Sequence, residues 1–133
     1  MDNVDDLISR NKFDIASIER LNSIEQDEAE PVLESLMEWI QDINWPVAQE
    51  LIKILPRFHL QLIPVIHNIL KKDDDVWKYW TLELLRNFPK KTLSVFQSDL
   101  ERMVNSPTEG EKIEDVDKSA HELLDSILGD TTL

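Results

Sequence analysis

The residues of this 133-residue chain best able to do chemistry are four tryptophans, one tyrosine, three histidines and 27 carboxylates, with no cysteine. The densest group is aromatic: Trp39, Trp45, Trp77, Tyr79 and Trp80. Trp77 and Trp80 stand three apart, which puts both on one face of a helix, with Tyr79 pointing elsewhere. Lys78 lies between them, and Lys71 and Lys72 come just before. Aromatic anchors interleaved with cations can bind a partner through ring burial and cation–π contacts. The same rings can instead fill gaps between stacked helices, with their indole N–H groups bonded locally.

A second group is Asp117, His121 and Asp125, spaced i, i+4, i+8 on one helical face with Glu114 close by. Carboxylates and an imidazole can hold a divalent metal. Here they lie opposite an apolar stripe, where acids at such spacings are ordinary solvated residues, so no metal or cofactor is expected. His59, His67 and His121 have no serine or acid at triad spacing. His67 is expected on a solvent side. With so many carboxylates, no general acid–base dyad can be singled out. Phosphate loops, dinucleotide fingerprints and zinc-binding spacings are absent from the sequence. The chain is therefore expected not to be an enzyme.

The elements that must position these groups announce themselves by repetition. From Pro31 the sequence reads PVLESLMEWIQDINWPVAQELIKILP, and 33 residues later, from Pro64, PVIHNILKKDDDVWKYWTLELLRNFP. The two align without a gap: Pro31 on Pro64, Asp42 on Asp75, Glu50 on Glu83, Leu51 on Leu84 and Pro56 on Pro89. Each unit has the pattern of two short helices, and such units stack because neither can bury its apolar face alone.

In the first unit Pro31 suits a helical first turn, where its missing N–H costs nothing. Asn44 is placed to cap a second helix over about 45–55, with Pro46 in its first turn and Pro56 ending it. In the second unit the Asp73-Asp74-Asp75 run caps a helix that Pro89 stops. Thr92 is placed to cap the start of a third, less regular unit. Thr108 and Glu111 have capping-box spacing, so a last helix starts there or near Asp115. Val116, Ala120, Leu123, Leu124, Ile127 and Leu128 give it an apolar stripe, and Gly129 a stop. Before the repeats, residues 3–9 suit a first turn. Asp14 can cap a helix over 14–23, with Phe13 packing on Ile18. The expected fold is all-α: an α-solenoid of about three helix pairs, six to seven helices in a right-handed stack. It forms one domain over 1–133, with units at about 31–56, 64–89 and 92–128 and helix 14–23 as a cap.

Composition agrees. Hydrophobic residues make up 41% and charged residues 31%, which argues against disorder, and two glycines favour helices. No run approaches the roughly 18 apolar residues of a membrane span, and the acidic start lacks a signal core, so a soluble cytoplasmic protein is expected. The net charge is −13, which argues against nucleic acid as a partner. Residues 56–91 nevertheless carry seven bases against four acids.

DINWPVA at Asp42–Ala48, DDVWKYW at Asp74–Trp80, NSPTEGEKIEDVD at Asn105–Asp117 and NKFD at Asn11–Asp14 together resemble a bacterial family of small, uncharacterised all-helical proteins. That family is similar in turn to HEAT-type repeat proteins. The resemblance spans roughly residues 10–128. It implies a curved two-layer stack of helix pairs and brings no activity. It also implies that Asn44-Trp45-Pro46, Trp77 to Trp80 and Pro107 to Glu111 are hallmarks of the family.

These readings converge on a protein-binding module. Its expected surface is formed by Trp45, Trp77, Lys78, Tyr79 and Trp80, with Thr108, Glu109 and Glu111 from the 105–117 loop. Two alternatives stand beside it: an acidic immunity or antitoxin-like inhibitor of a basic toxin, and a HEAT-like nucleic-acid binder or enzyme. The repeats disagree where Trp45 meets Lys78 and Val47 meets Trp80. Stacking does not demand those differences, so a binding surface is expected there.

Overall fold

A computed structural model describes residues 21, 24–41 and 43–129. The turn over 3–9, the residues 14–20, 22 and 23 of the expected first helix, and Asp42 lie outside the described residues. Every element among the described residues is helical, and none is a strand. The chain divides into two compact units, residues 1–65 and 66–133.

The first unit holds α1 (Gln26–Ala29), α2 (Leu33–Glu38) and α3 (Pro46–Ile54), with 3₁₀ turns at Glu30–Val32, Trp39–Gln41 and Leu55–Phe58. Pro31 sits in the first of these turns, where its lack of an N–H is harmless. α3 buries Val47, Ala48, Leu51 and Ile54 and exposes Gln49 and Lys53. The residue that enters α3 is Trp45, not the expected Asn44, and it makes no side-chain cap bond. The reason is steric. A residue before proline is pushed to extended backbone, and Trp45 has φ −76° and ψ 134°. Pro46 thus sets the helix start, with no cap bond from the Trp45 side chain. Arg57 ties residues 21–24 to the turn after α3, donating to the carbonyls of Leu21, at 2.6 Å, and Ile24.

α4 (Ile63–Leu70) leads into the second unit, which contains α5 (Asp75–Leu85), α6 (Lys90–Leu93), α7 (Gln97–Asn105), α8 (Glu109–Ile113) and α9 (Val116–Gly129). α9 packs against α7 and α5. The repeat aligns Tyr79 with Pro46, yet α5 starts earlier, at Asp75. Asp74 explains the shift: its carboxylate accepts the Trp77 N–H at 3.1 Å, a true N-cap. Thr92 does not cap the next helix. It is buried inside α6, whose entry is Pro89 in an extended conformation. Pro89 therefore separates two helices by supplying no donor to the first and fixed φ to the second.

The expected capping box forms. The Thr108 hydroxyl accepts from Glu111 N–H at 3.1 Å, and Glu111 Oε1 accepts from Thr108 N–H at 2.8 Å. Both proposed starts of the last helix are used, because α8 ends and α9 begins around Asp115. That residue has φ 61°, the left-handed region that aspartate tolerates better than most side chains. Gly129 is the last residue of α9, not a stop beyond it.

Candidate functional site

Lys78 falls on the core face of α5. Thr81, Leu82 and Leu85 follow it at i+3, i+4 and i+7, and all three are buried. Its side chain is only 3% exposed, so its ammonium needs partners inside the protein. Glu111, which is 0% exposed, supplies one: Lys78 Nζ donates to Glu111 Oε2 at 2.9 Å. Arg102 reaches the same carboxylate from α7, donating through Nη1 to Oε1 at 2.8 Å and through Nη2 to Oε2. With the Thr108 N–H, each Glu111 oxygen accepts two donors. Those are all the lone-pair positions a carboxylate offers.

Burial pushes the Glu111 carboxyl upward, but the hydrogen bonds from Arg102, the Thr108 backbone and Lys78 outweigh it and hold the pKa at about 2. The Arg102 guanidinium is raised, chiefly by the same hydrogen bonds to Glu111. Such a carboxylate is saturated and stays ionised well below the ordinary carboxylate range, which suits an anchor and not a general base.

Asp75 completes the cluster. Its Oδ1 lies 2.9 Å from Lys78 Nζ, but at an angle that makes the contact ionic and not a directed hydrogen bond; Oδ1 takes no other bond among the described residues. Two cations therefore face two carboxylates. Gly110 lets the Asp75 carboxylate approach α8: a Cβ there would overlap Asp75 Oδ2.

Residues immediately beyond this cluster open to solvent. Tyr79 and Trp80 meet edge-on, with centroids 4.9 Å apart and planes at 87°. With Val76, Ile113, Glu114 and Asp115 they line a shallow groove of about 210 Å³. Ile113 is 74% exposed and Val76 41%. One wall is the start of α5 and the other the α8–α9 junction. Both walls are continuous with the buried ion pair, through Lys78 on one side and Glu111 on the other.

The expected surface residues are thus sorted into two layers. Tyr79 and Trp80 line the groove, and Tyr79 does not point away from Trp80. Trp77 and Lys78 are buried, so neither belongs to the binding face. Glu111 is buried in the ion cluster and Thr108 caps α8, while Glu109 is exposed in the first turn of α8. Trp45 lies in the first unit, edge-on to Trp39 at 5.1 Å. Sequence reasoning missed Arg102, Asp75 and Gly110 as members of the cluster. The i, i+4, i+7 pattern of Lys78, Leu82 and Leu85 was the available signal that Lys78 faces inward. The groove is aromatic and acidic, not aromatic and basic.

Among the described residues no group of three or more histidines, cysteines, aspartates and glutamates is placed to hold a metal. His121 pairs with Asp125 at 3.2 Å on the exposed face of α9, and Asp117 joins neither. His67 does not simply face solvent. Its Nδ1 meets Asp99 Oδ2 at 2.7 Å and its ring lies against Phe96.

A family described as a domain of unknown function, DUF5071, matches residues 7–124. No curated protein matches the chain. The match covers most of the sequence, and the chain belongs to the DUF5071 family.

Proposed function

We propose that this member of the DUF5071 family is a non-enzymatic protein-binding module, built as a HEAT-like, right-handed series of helix pairs and working in the bacterial cytoplasm. The gapless 33-residue repeat supports the repeat architecture. The groove between α5 and the α8–α9 junction is the contact surface. The observation that carries this is the exposure of Ile113 and Val76 beside a perpendicular Tyr79–Trp80 pair. Large apolar groups presented together around a concavity are a cost in water that a partner would relieve. Glu111, the central carboxylate of the buried cluster, is fully engaged by its donors, which supports a structural role for it. Burial of Lys78 removes one cation from the surface of the basic middle segment and weakens the nucleic-acid reading further.

A partner captured from native extract by the wild-type protein should be lost with Ile113→Asp and kept with Val95→Asp. Val95 is also exposed in the second unit but lies outside the groove. Equal capture by both variants refutes the groove as the contact surface. The net charge of −13 favours a basic partner, as an inhibitor of a basic toxin would require. That narrower reading expects binding that weakens steeply with salt.

A further inference from the structure

We infer that the groove recognises a cationic side chain, arginine or lysine, carried by an extended segment of the partner protein next to an aliphatic residue. This rests on the docking reading and narrows it. Three features of the groove converge. First, Tyr79 and Trp80 present rings at 87°, so a group entering beside them meets a ring face of at least one orientation. Ring faces are electron-rich, and a cation placed over one is attracted, indole most strongly. Second, the charged members of the lining are Glu114 and Asp115, and among the described residues no lysine or arginine lines the groove. Carboxylates beside aromatic faces offer a cation charge and polarisable surface at once. Third, Val76 and Ile113 give an adjacent apolar strip that a neighbouring aliphatic side chain can cover.

Among the described residues an internal cation competes. Lys118 Nζ lies 3.3 Å from Asp115 Oδ1, but both side chains are largely exposed, and such a pair is displaced at little cost. Phosphate, nucleic acid and acidic peptides meet the wrong charge here. The backbone of Asp115 is left-handed, at φ 61°. Asparagine is tolerated in that conformation, which makes Asp115→Asn a removal of charge without backbone strain.

The probe is a short capped peptide with arginine between two leucines, compared with the same peptide carrying citrulline, which keeps the shape and loses the charge. Binding is read from the Trp80 indole and the backbone amides of residues 113–115 by NMR titration. The arginine peptide should shift these signals saturably and bind about tenfold more tightly than the citrulline peptide, the size expected of a partly exposed cation–π contact with a carboxylate. Glu114→Gln with Asp115→Asn should reduce that preference several-fold, leaving the cation–π part, in a protein whose helical signal is unchanged. Equal affinity for both peptides, or shifts outside the groove, overturns the cation inference. If Ile113→Asp still abolishes partner capture, the docking reading survives that result. If Ile113→Asp leaves capture intact, the docking reading itself has failed.

Discussion

Glu111→Gln tests the buried cluster most severely. The amide keeps the shape of the side chain and removes the charge that Lys78 and Arg102 share. It also turns an NH₂ donor toward groups that can only donate. Two independent routes give the size. Leaving one member of a buried charge pair without its partner costs about 3–5 kcal/mol. From the other side, a carboxyl held at about 2 against an ordinary 4.5 is stabilised by roughly 3 kcal/mol in its ionised form, at 1.36 kcal/mol for each unit. The routes agree on about 3 kcal/mol, a large part of the roughly 5–15 kcal/mol that holds a typical protein folded.

The pH dependence follows in sign. The folded carboxyl has the lower pKa, so between about 4.5 and about 2 the unfolded chain binds more protons. The contribution is full above the ordinary carboxylate range and is lost as pH falls through that window. Urea unfolding followed by circular dichroism should give a wild-type protein about 3 kcal/mol more stable than Glu111→Gln at neutral pH. The two should converge as pH falls toward 2. Removing the buried charges together with Asp75→Ala, Lys78→Met and Glu111→Leu should recover much of the loss, since Arg102, 43% exposed, can turn to solvent. A neutral-pH loss below about 1 kcal/mol, the size of an ordinary surface change, would refute the argument. So would parallel curves across the acid window.

Gly110→Ala should destabilise the wild-type protein by about 1–2 kcal/mol, because the new methyl must expel the Asp75 carboxylate. The same change in an Asp75→Ala background should be neutral or stabilising by up to about 1 kcal/mol, since alanine is the better helix residue; the same penalty in both backgrounds would show that Asp75 is not the obstacle. Asp74→Ala should cost about 1 kcal/mol through loss of the bond to Trp77 N–H, and Asp74→Ser should restore most of it in the same unfolding assay.

The helical character of the chain was plain in the sequence because periodicity and proline placement are local. Pro31 and Pro46 sit in first turns as expected, and Thr108 with Glu111 could be recognised because a capping box closes within three residues. Position-by-position starts were less accessible. Trp45 enters α3 because the following proline constrains it, and Asp74 starts α5 earlier than the repeat alignment allows. The interior of the site was the least legible. Lys78 reads as a surface cation between aromatics, and only its spacing to Leu82 and Leu85 hints otherwise. Its counterion lies 33 residues away, and a single sequence does not pair distant charges. The groove was legible in part: Tyr79 and Trp80 were singled out, while Val76, Ile113, Glu114 and Asp115 became members only when α8 turned into α9 beside α5.

The saturated Glu111 carboxylate has a consequence for how the groove can be governed. It acts as a rivet through both walls, and it loses its charge only near pH 2. Acidification within the range a living cell experiences therefore leaves the walls fastened. If the groove docks a partner as proposed, an incoming segment would meet a cleft already cut to shape and spend little of its binding energy on ordering the host. Occupancy should then follow the concentration of the partner and the ionic strength around it. A cell that needs to close this site would have to cover it or alter it chemically, because protons alone do not undo the rivet.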